Sequence, residues 1–207
     1  MNAPDLSTEL GSDDPERRRQ AVRSLLALQE EGLADMIMGA LGDSSWRVRK
    51  EAVAVAVELA ESAALIGPLV QAISQGENVG LRNAALDVLE QLGPTAGREL
   101  LNALPTVPEH ARKFVVEALG EAGGGQVVAE LSRVSACGEP NLAAEAIEAL
   151  ARIGGADAEL AIRARLSDDD PFLRMAALEG LNRLAARVPW EELKDLLDDR
   201  LVRRVAL

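Results

Sequence analysis

The stretch LGDSSWRVRKEAVAVAVELA (residues 41–60) returns in altered form as LSDDDPFLRMAALEGLNRLA (residues 166–185). Both open with Leu, pass through acidic and hydroxyl residues, and enter an Ala- and Leu-rich run behind an Arg. Aligning the two exposes further copies. Segments begin at Leu10, Leu41, Ile73, Leu104, Val134, Leu166 and Leu197, at spacings of 31, 32, 31, 30, 32 and 31 residues. One column reads Arg18, Arg49, Arg82, Arg112, Ala143, Arg174 and Arg203. Three residues later stand Ala21, Ala52, Ala85, Val115, Ala146 and Ala177; seven later, Leu25, Ala56, Leu89, Leu119, Leu150 and Leu181. With the mostly apolar residue before the Arg and the one ten after it, these positions form one helical stripe.

Each unit therefore reads as helix, turn, helix. Ser and Asp in "SDDP" (12–15), "GDSS" (42–45) and "SDDDP" (167–171) are suited to accept the free N–H groups of a first turn, and Pro suits the first helical position. Gly93, Gly123 to Gly125 and Gly154-Gly155 mark the turns. The second helix carries its own stripe, Ala96, Leu100, Leu101 and Leu104 in one unit. A hairpin of about 31 residues cannot bury both its faces, but stacked copies share a continuous core. The expected fold is an all-α, right-handed solenoid of six hairpins and a partial seventh. Residues 1–9 read as a lead-in and 10–207 as one repeat domain. Arg17 stands in a column that is otherwise apolar, which suits a first unit. Val202, Ala206 and Leu207 would lack a covering helix, so either this last helix is a short cap or, the preferred expectation, the 207 residues are part of a longer protein.

The pattern of Asp, Pro, Val-Arg and paired Ala/Leu resembles HEAT-like repeats, specifically the short variety named after phycobilisome lyases. The resemblance spans residues 10–207. It implies a ladder between units built from Arg49, Arg82, Arg112 and Arg174, with Asp14, Asp43 and Asp170 as candidate partners. Ala143 and the extra residue in "SACGEPN" (135–141) are expected to break the ladder in the fifth unit.

Composition narrows the function. The chain of 207 residues carries 22 Lys and Arg against 34 Asp and Glu, a net charge of −12. Residues 51–162 hold 16 acids and 6 bases. Nucleic-acid binding draws on basic residues that displace counterions, so this balance excludes it as an expectation. The sequence has neither a secretory leader nor an apolar run of membrane length, which points to a cytoplasmic protein.

No residue set announces catalysis. His110 is the single histidine, so the paired His-Glu iron site of deoxyhypusine hydroxylases, built on similar repeats, cannot be assembled. Asp168, Asp169 and Asp170 before Pro171 read as helix capping rather than a metal clamp. Cys137 reads as a turn thiol. No metal or cofactor is expected. The expected function is a non-catalytic protein-interaction scaffold, with a bilin lyase-like enzyme or chaperone as the alternative that the resemblance leaves open. By the same resemblance the second helices line a concave face. Arg98, Glu99, Asn102, Glu130, Arg133, Glu159 and Arg163 are then the candidate contacts for a partner segment of basic character. Trp46 and Trp190 are candidate exposed anchors, since interface aromatics often carry much of the binding energy.

Overall fold

The computed structural model describes residues 3–28, 32–60, 64–75, 78–194 and 196. Among them every regular element is helical. Six long helices carry the Arg column or its Ala143 substitute: α2 (Pro15–Ser24), α4 (Trp46–Leu59), α6 (Val79–Leu92), α8 (Glu109–Ala122), α10 (Pro140–Ile153) and α12 (Pro171–Arg183). Helices of at most ten residues alternate with them: α1 (Ala3–Leu10), α3 (Leu33–Leu41), α5 (Ile66–Gln75), α7 (Pro94–Ala103), α9 (Val128–Ser135), α11 (Ala156–Arg163) and α13 (Trp190–Leu193). The hairpin order read from the sequence is the observed order. The seventh unit, from Leu197 through Arg203 to Leu207, lies outside the described residues.

The chain divides into two compact units, Met1–Leu92 and Gly93–Leu207. In the first, α2, α4 and α6 pack side by side in one layer, with α1 against α2, α3 against α4 and α5 against α6. Leu6 of α1 is buried, so the described residues of the stretch read as a lead-in belong to a short helix that packs against α2. In the second unit α8, α10 and α12 form the long-helix layer, backed by α7, α9 and α11. Each unit is thus a two-layer stack of helical hairpins, the α-solenoid architecture, filled by Ala, Val, Leu and a few Ile.

The apolar columns are the core. Ala21, Ala52, Ala85, Val115, Ala146 and Ala177 are all buried, and Leu25, Ala56, Leu89, Leu119, Leu150 and Leu181 are wholly inaccessible. Small residues at the first column let neighbouring long helices approach closely. The helices also come close at Gly120 of α8, where a Cβ would stand 2.7 Å from that of Ala149 on α10. Gly154 ends α10 with φ +73°, a conformation that side chains with a Cβ rarely adopt.

The capping chemistry repeats as well. Asp14 and Asp170 each accept the backbone N–H two residues on, from Glu16 and Phe172, both at 2.9 Å. Ahead of α2, α4 and α12 another side chain fixes the entry: Ser12, Asp43 and Asp168 accept the N–H of Asp14, Ser45 and Asp170. Pro15, Pro140 and Pro171 open their helices as expected.

Candidate interaction surface

Three members of the Arg column, Arg18, Arg49 and Arg174, clamp the loop that precedes their own helix. Arg18 donates through Nη1 to the carbonyls of Ser12 and Asp13, Arg49 to those of Asp43 and Ser44, and Arg174 to those of Asp168 and Asp169. In each case the acceptors lie six and five residues back. Arg18 also reaches into the next repeat, donating Nε and Nη2 to Asp43 at 2.7 and 2.9 Å. Both side chains of this bidentate pair are largely buried. Burial pushes the Asp43 carboxyl up, but the hydrogen bonds from Arg18 and Ser45 and the charges of Arg18 and Arg49 hold it below the usual value of 3.8.

Asp43 is therefore a ladder partner, whereas Asp14 and Asp170 are engaged as helix caps. Asp168 occupies the Asp43 position in the sixth unit, and the Arg that would meet it is Ala143, which is buried. Asp168 turns to Arg165 instead, at 3.4 Å. Arg112 spans to Glu139 at 3.5 Å. Arg82 is half-buried on α6.

The row expected from the short helices is largely occupied with itself. Arg133 pairs with Glu130 on α9. Arg163 of α11 pairs with Glu159 at 2.6 Å and with Glu192 of α13 at 2.7 Å. Arg98, Glu99 and Asn102 on α7 are exposed. Trp46 opens α4 at 61% exposure and Trp190 opens α13 at 63%; the Arg47 guanidinium lies 5.8 Å from the Trp46 ring centre.

The long-helix layer carries a second set of pairs between repeats, and the two units differ there. In the first, Glu51 of α4 (two residues after Arg49) receives Arg19 at 3.1 Å and Arg23 at 2.8 Å, both from α2. In the second, Arg152 of α10 takes Glu121 of α8 at 3.1 Å and Glu148 at 2.8 Å. Arg183 of α12 reaches Glu148 at 3.5 Å. The Nη1 of Arg152 is buried with no hydrogen-bond partner.

A groove of about 450 Å³ runs along this second layer, lined by Lys113, Glu145, Glu148, Phe172, Met175 and Glu179 among others. Phe172 is 42% exposed. Burial lifts the Glu145 carboxyl above the usual carboxylate value. The negative charges of Glu117 and Glu148 add to that, against smaller pulls from Arg152 and Lys113. The corresponding groove of the first unit, about 510 Å³, is lined by Trp46, Arg49, Lys50, Val53, Asn83 and Asp87 among others. Glu145 and Phe172 were missing from the sequence-based candidates because their columns do not repeat. The recurrence of Asp87, Glu117, Glu148 and Glu179 at repeat spacing was the available signal for this face.

Remaining chemistry is sparse. His110 is exposed at the start of α8, and Cys137 is half-buried with its Sγ 3.8 Å from the Glu139 carbonyl oxygen. Among the described residues no group of three or more His, Cys, Asp and Glu side chains could hold a metal ion. Nor is any helix there long and apolar enough to cross a membrane.

Residues 131–207 match the family model for HEAT repeats. No curated protein matches the chain. Among solved structures it is similar to the complex of CpcE and CpcF of phycocyanin lyase from Nostoc sp. PCC7120. That match has 21% identity and a TM-score of 0.58, over 69% of this chain and 96% of that one. An archaeal HEAT-like repeats protein from Thermococcus onnurineus NA1 is similar at 15% identity and a TM-score of 0.47, over 100% of this chain and 94% of that one. At these identities the first likeness shows the fold alone.

Proposed function

We propose that this chain, a HEAT-like helical repeat protein, is a non-catalytic scaffold that binds a protein partner of basic character on the long-helix layer of its second unit. The observation that carries this reading is the charge state of that layer. Its three helices carry six carboxylates, Glu109, Glu117, Glu121, Glu145, Glu148 and Glu179, against five cations, Arg112, Lys113, Arg152, Arg174 and Arg183, and the groove itself is lined by Glu145, Glu148 and Glu179 with Lys113 and Arg183. The cations Arg152 and Arg183 are already engaged with Glu121 and Glu148. Apolar surface lies among the excess charge, since Phe172 and Met175 line the same groove. A partner segment that pairs basic with apolar residues matches both features.

The short-helix row of Arg98, Glu99, Asn102, Glu130, Arg133, Glu159 and Arg163 is the competing surface. Glu130 and Glu159 there have their own Arg neighbours, which weakens the field they offer to an incoming cation. A fluorescent peptide of six Arg-Ala repeats, followed by anisotropy at low salt, separates the two. Glu117→Lys with Glu179→Lys should weaken binding strongly, and added salt should imitate that loss. If Glu99→Lys with Glu130→Lys proves the more damaging pair, the partner sits on the short-helix row. The lyase-like alternative predicts a shift in the visible spectrum of free bilin on mixing; the scaffold predicts none.

A further inference from the structure

The repeat makes the molecule its own comparison. Glu51 and Glu145 occupy one repeat position, two residues past the Arg column, on α4 and α10. The preceding long helix presents two residues toward that position, one and five places past its own column residue. On α2 they are Arg19 and Arg23, and both donate to Glu51. On α8 they are Lys113 and Glu117. The Lys113 ammonium lies 4.8 Å from the centre of the neighbouring Phe114 ring. Where the guanidinium of Arg23 closes the first site, the second has a carboxylate facing a carboxylate.

We propose that the position beside Glu145, between α8 and α10, is a socket for an Arg or Lys side chain supplied by the partner protein, with Phe172 and Met175 as the apolar bed for the residue next to it. The geometry of the occupied socket is already present in the chain at Glu51, which accepts two guanidinium groups across the same helix pair position. At Glu145 the socket opens onto the groove that Glu148 also lines, so an incoming cation reaches Glu145 and Glu148 together, within the field of Glu117. A guanidinium suits this arrangement better than an ammonium, because its fork of donors can be shared among several carboxylate oxygens. The raised Glu145 carboxyl agrees with this arrangement: burial lifts it most, and the negative charges of Glu117 and Glu148 lift it further.

This inference rests on the scaffold reading, and the experiment separates the two. The probe is the same Arg-Ala peptide, titrated into the full chain, with a Lys-Ala peptide beside it. Glu145→Gln should weaken the Arg-Ala peptide by about tenfold or more, the effect of losing a charge-assisted hydrogen-bond acceptor. The same substitution should raise the melting temperature, because it removes a like-charge contact. Those opposite movements distinguish a binding residue from a structural one. Glu117→Arg recreates the Arg23–Glu51 pairing. It should raise the melting temperature further and shut the socket against the peptide. The Lys-Ala peptide should bind more weakly than its Arg counterpart. Wild-type chain that fails to bind the Arg-Ala peptide at millimolar concentration would overturn the socket. So would a Glu117→Arg variant that binds as wild type does. If Glu145→Gln has no effect while Glu117→Lys with Glu179→Lys abolishes binding, the socket falls and the layer remains the docking face. If none of the long-helix variants matters, both readings fall.

Discussion

The α2–α4 pair and the α8–α10 pair are built on one pattern and finished with opposite charge. Their cores correspond residue by residue: Ala21 and Ala52 in one, Val115 and Ala146 in the other, all buried. On the outer side of the same helices the first pair meets Glu51 with Arg19 and Arg23, and the second meets Glu145 with Lys113 and Glu117. Repetition fixes which residues lie together, and the sign at one position then decides whether a surface is closed within the chain or left for another molecule.

The largest expected effect lies where the two pairs should agree. Leu25 and Leu119 share the column seven past the Arg, both wholly inaccessible. Truncating either to Ala should cost roughly 2–5 kcal/mol, read by chemical denaturation. Similar losses confine the difference between the pairs to their surfaces. A much smaller loss at Leu119 would mean that the cores differ too.

Next comes the Arg18–Asp43 link, present in the first unit and lost by substitution at Ala143 in the second. Asp43→Asn should destabilise by about 1–3 kcal/mol, the range for a hydrogen bond to a charged group. Because the folded state holds the Asp43 carboxyl low, its contribution is present above the unfolded value of 3.8. It disappears as the pH falls through the folded value. Wild type and variant should therefore converge in melting temperature on acidification. Ala143→Arg should provide the missing partner for Asp168 if the buried site can open to admit it. A variant that packs but gains no stability would show that the ladder depends on more than matched charge.

The carboxylates at the shared outer position should respond with opposite signs. Glu51→Gln should lose about 0.5–1 kcal/mol, the upper part of the range for accessible ion pairs. Glu145→Gln should gain a few tenths of a kcal/mol at neutral pH, a small value because the site is partly exposed to solvent. That gain should vanish on acidification, as Glu145 takes up a proton above the usual carboxylate range. Peptide binding should fade over the same interval, in a setting of Lys113 and Glu117 from α8, Glu148 and Arg152 from α10, and Glu179 and Arg183 from α12. Equal signs for the two Gln variants would dissolve the comparison. Trp46→Ala should change stability least, within about 0.5 kcal/mol, given its exposure on the first groove.

The fold was legible because burial writes itself into the sequence as a period. Ala and Leu recur every 31 residues or so wherever neighbouring helices must touch, and Asp, Ser and Pro recur wherever a helix must start. The Arg column was visible too, but its chemistry was only half so. The expected ladder left out Arg18, the residue that meets Asp43, and the sequence offered Asp14 and Asp170 both as caps and as ladder partners without choosing between the two roles. Nor does it show that the same Arg column ties down the carbonyls of its own loop, because backbone acceptors leave no mark in residue identity. Glu145 was hidden for another reason. A residue whose neighbours change sign from copy to copy has no conserved column to betray it, and only the packed pair of helices brings Glu117 against it.

The most direct test turns the first pair into the second. Arg23→Glu places a carboxylate opposite Glu51 while keeping Arg19 in the Lys113 position, which opens in the first unit the socket assigned to Glu145. Isothermal titration with the Arg-Ala peptide should then rise from one site per wild-type chain to two sites per variant chain. Adding Glu145→Gln should return the count to one. A variant that still binds a single peptide, or a wild-type chain whose one site survives Glu145→Gln unchanged, would contradict the claim that charge sign at this repeat position opens the surface.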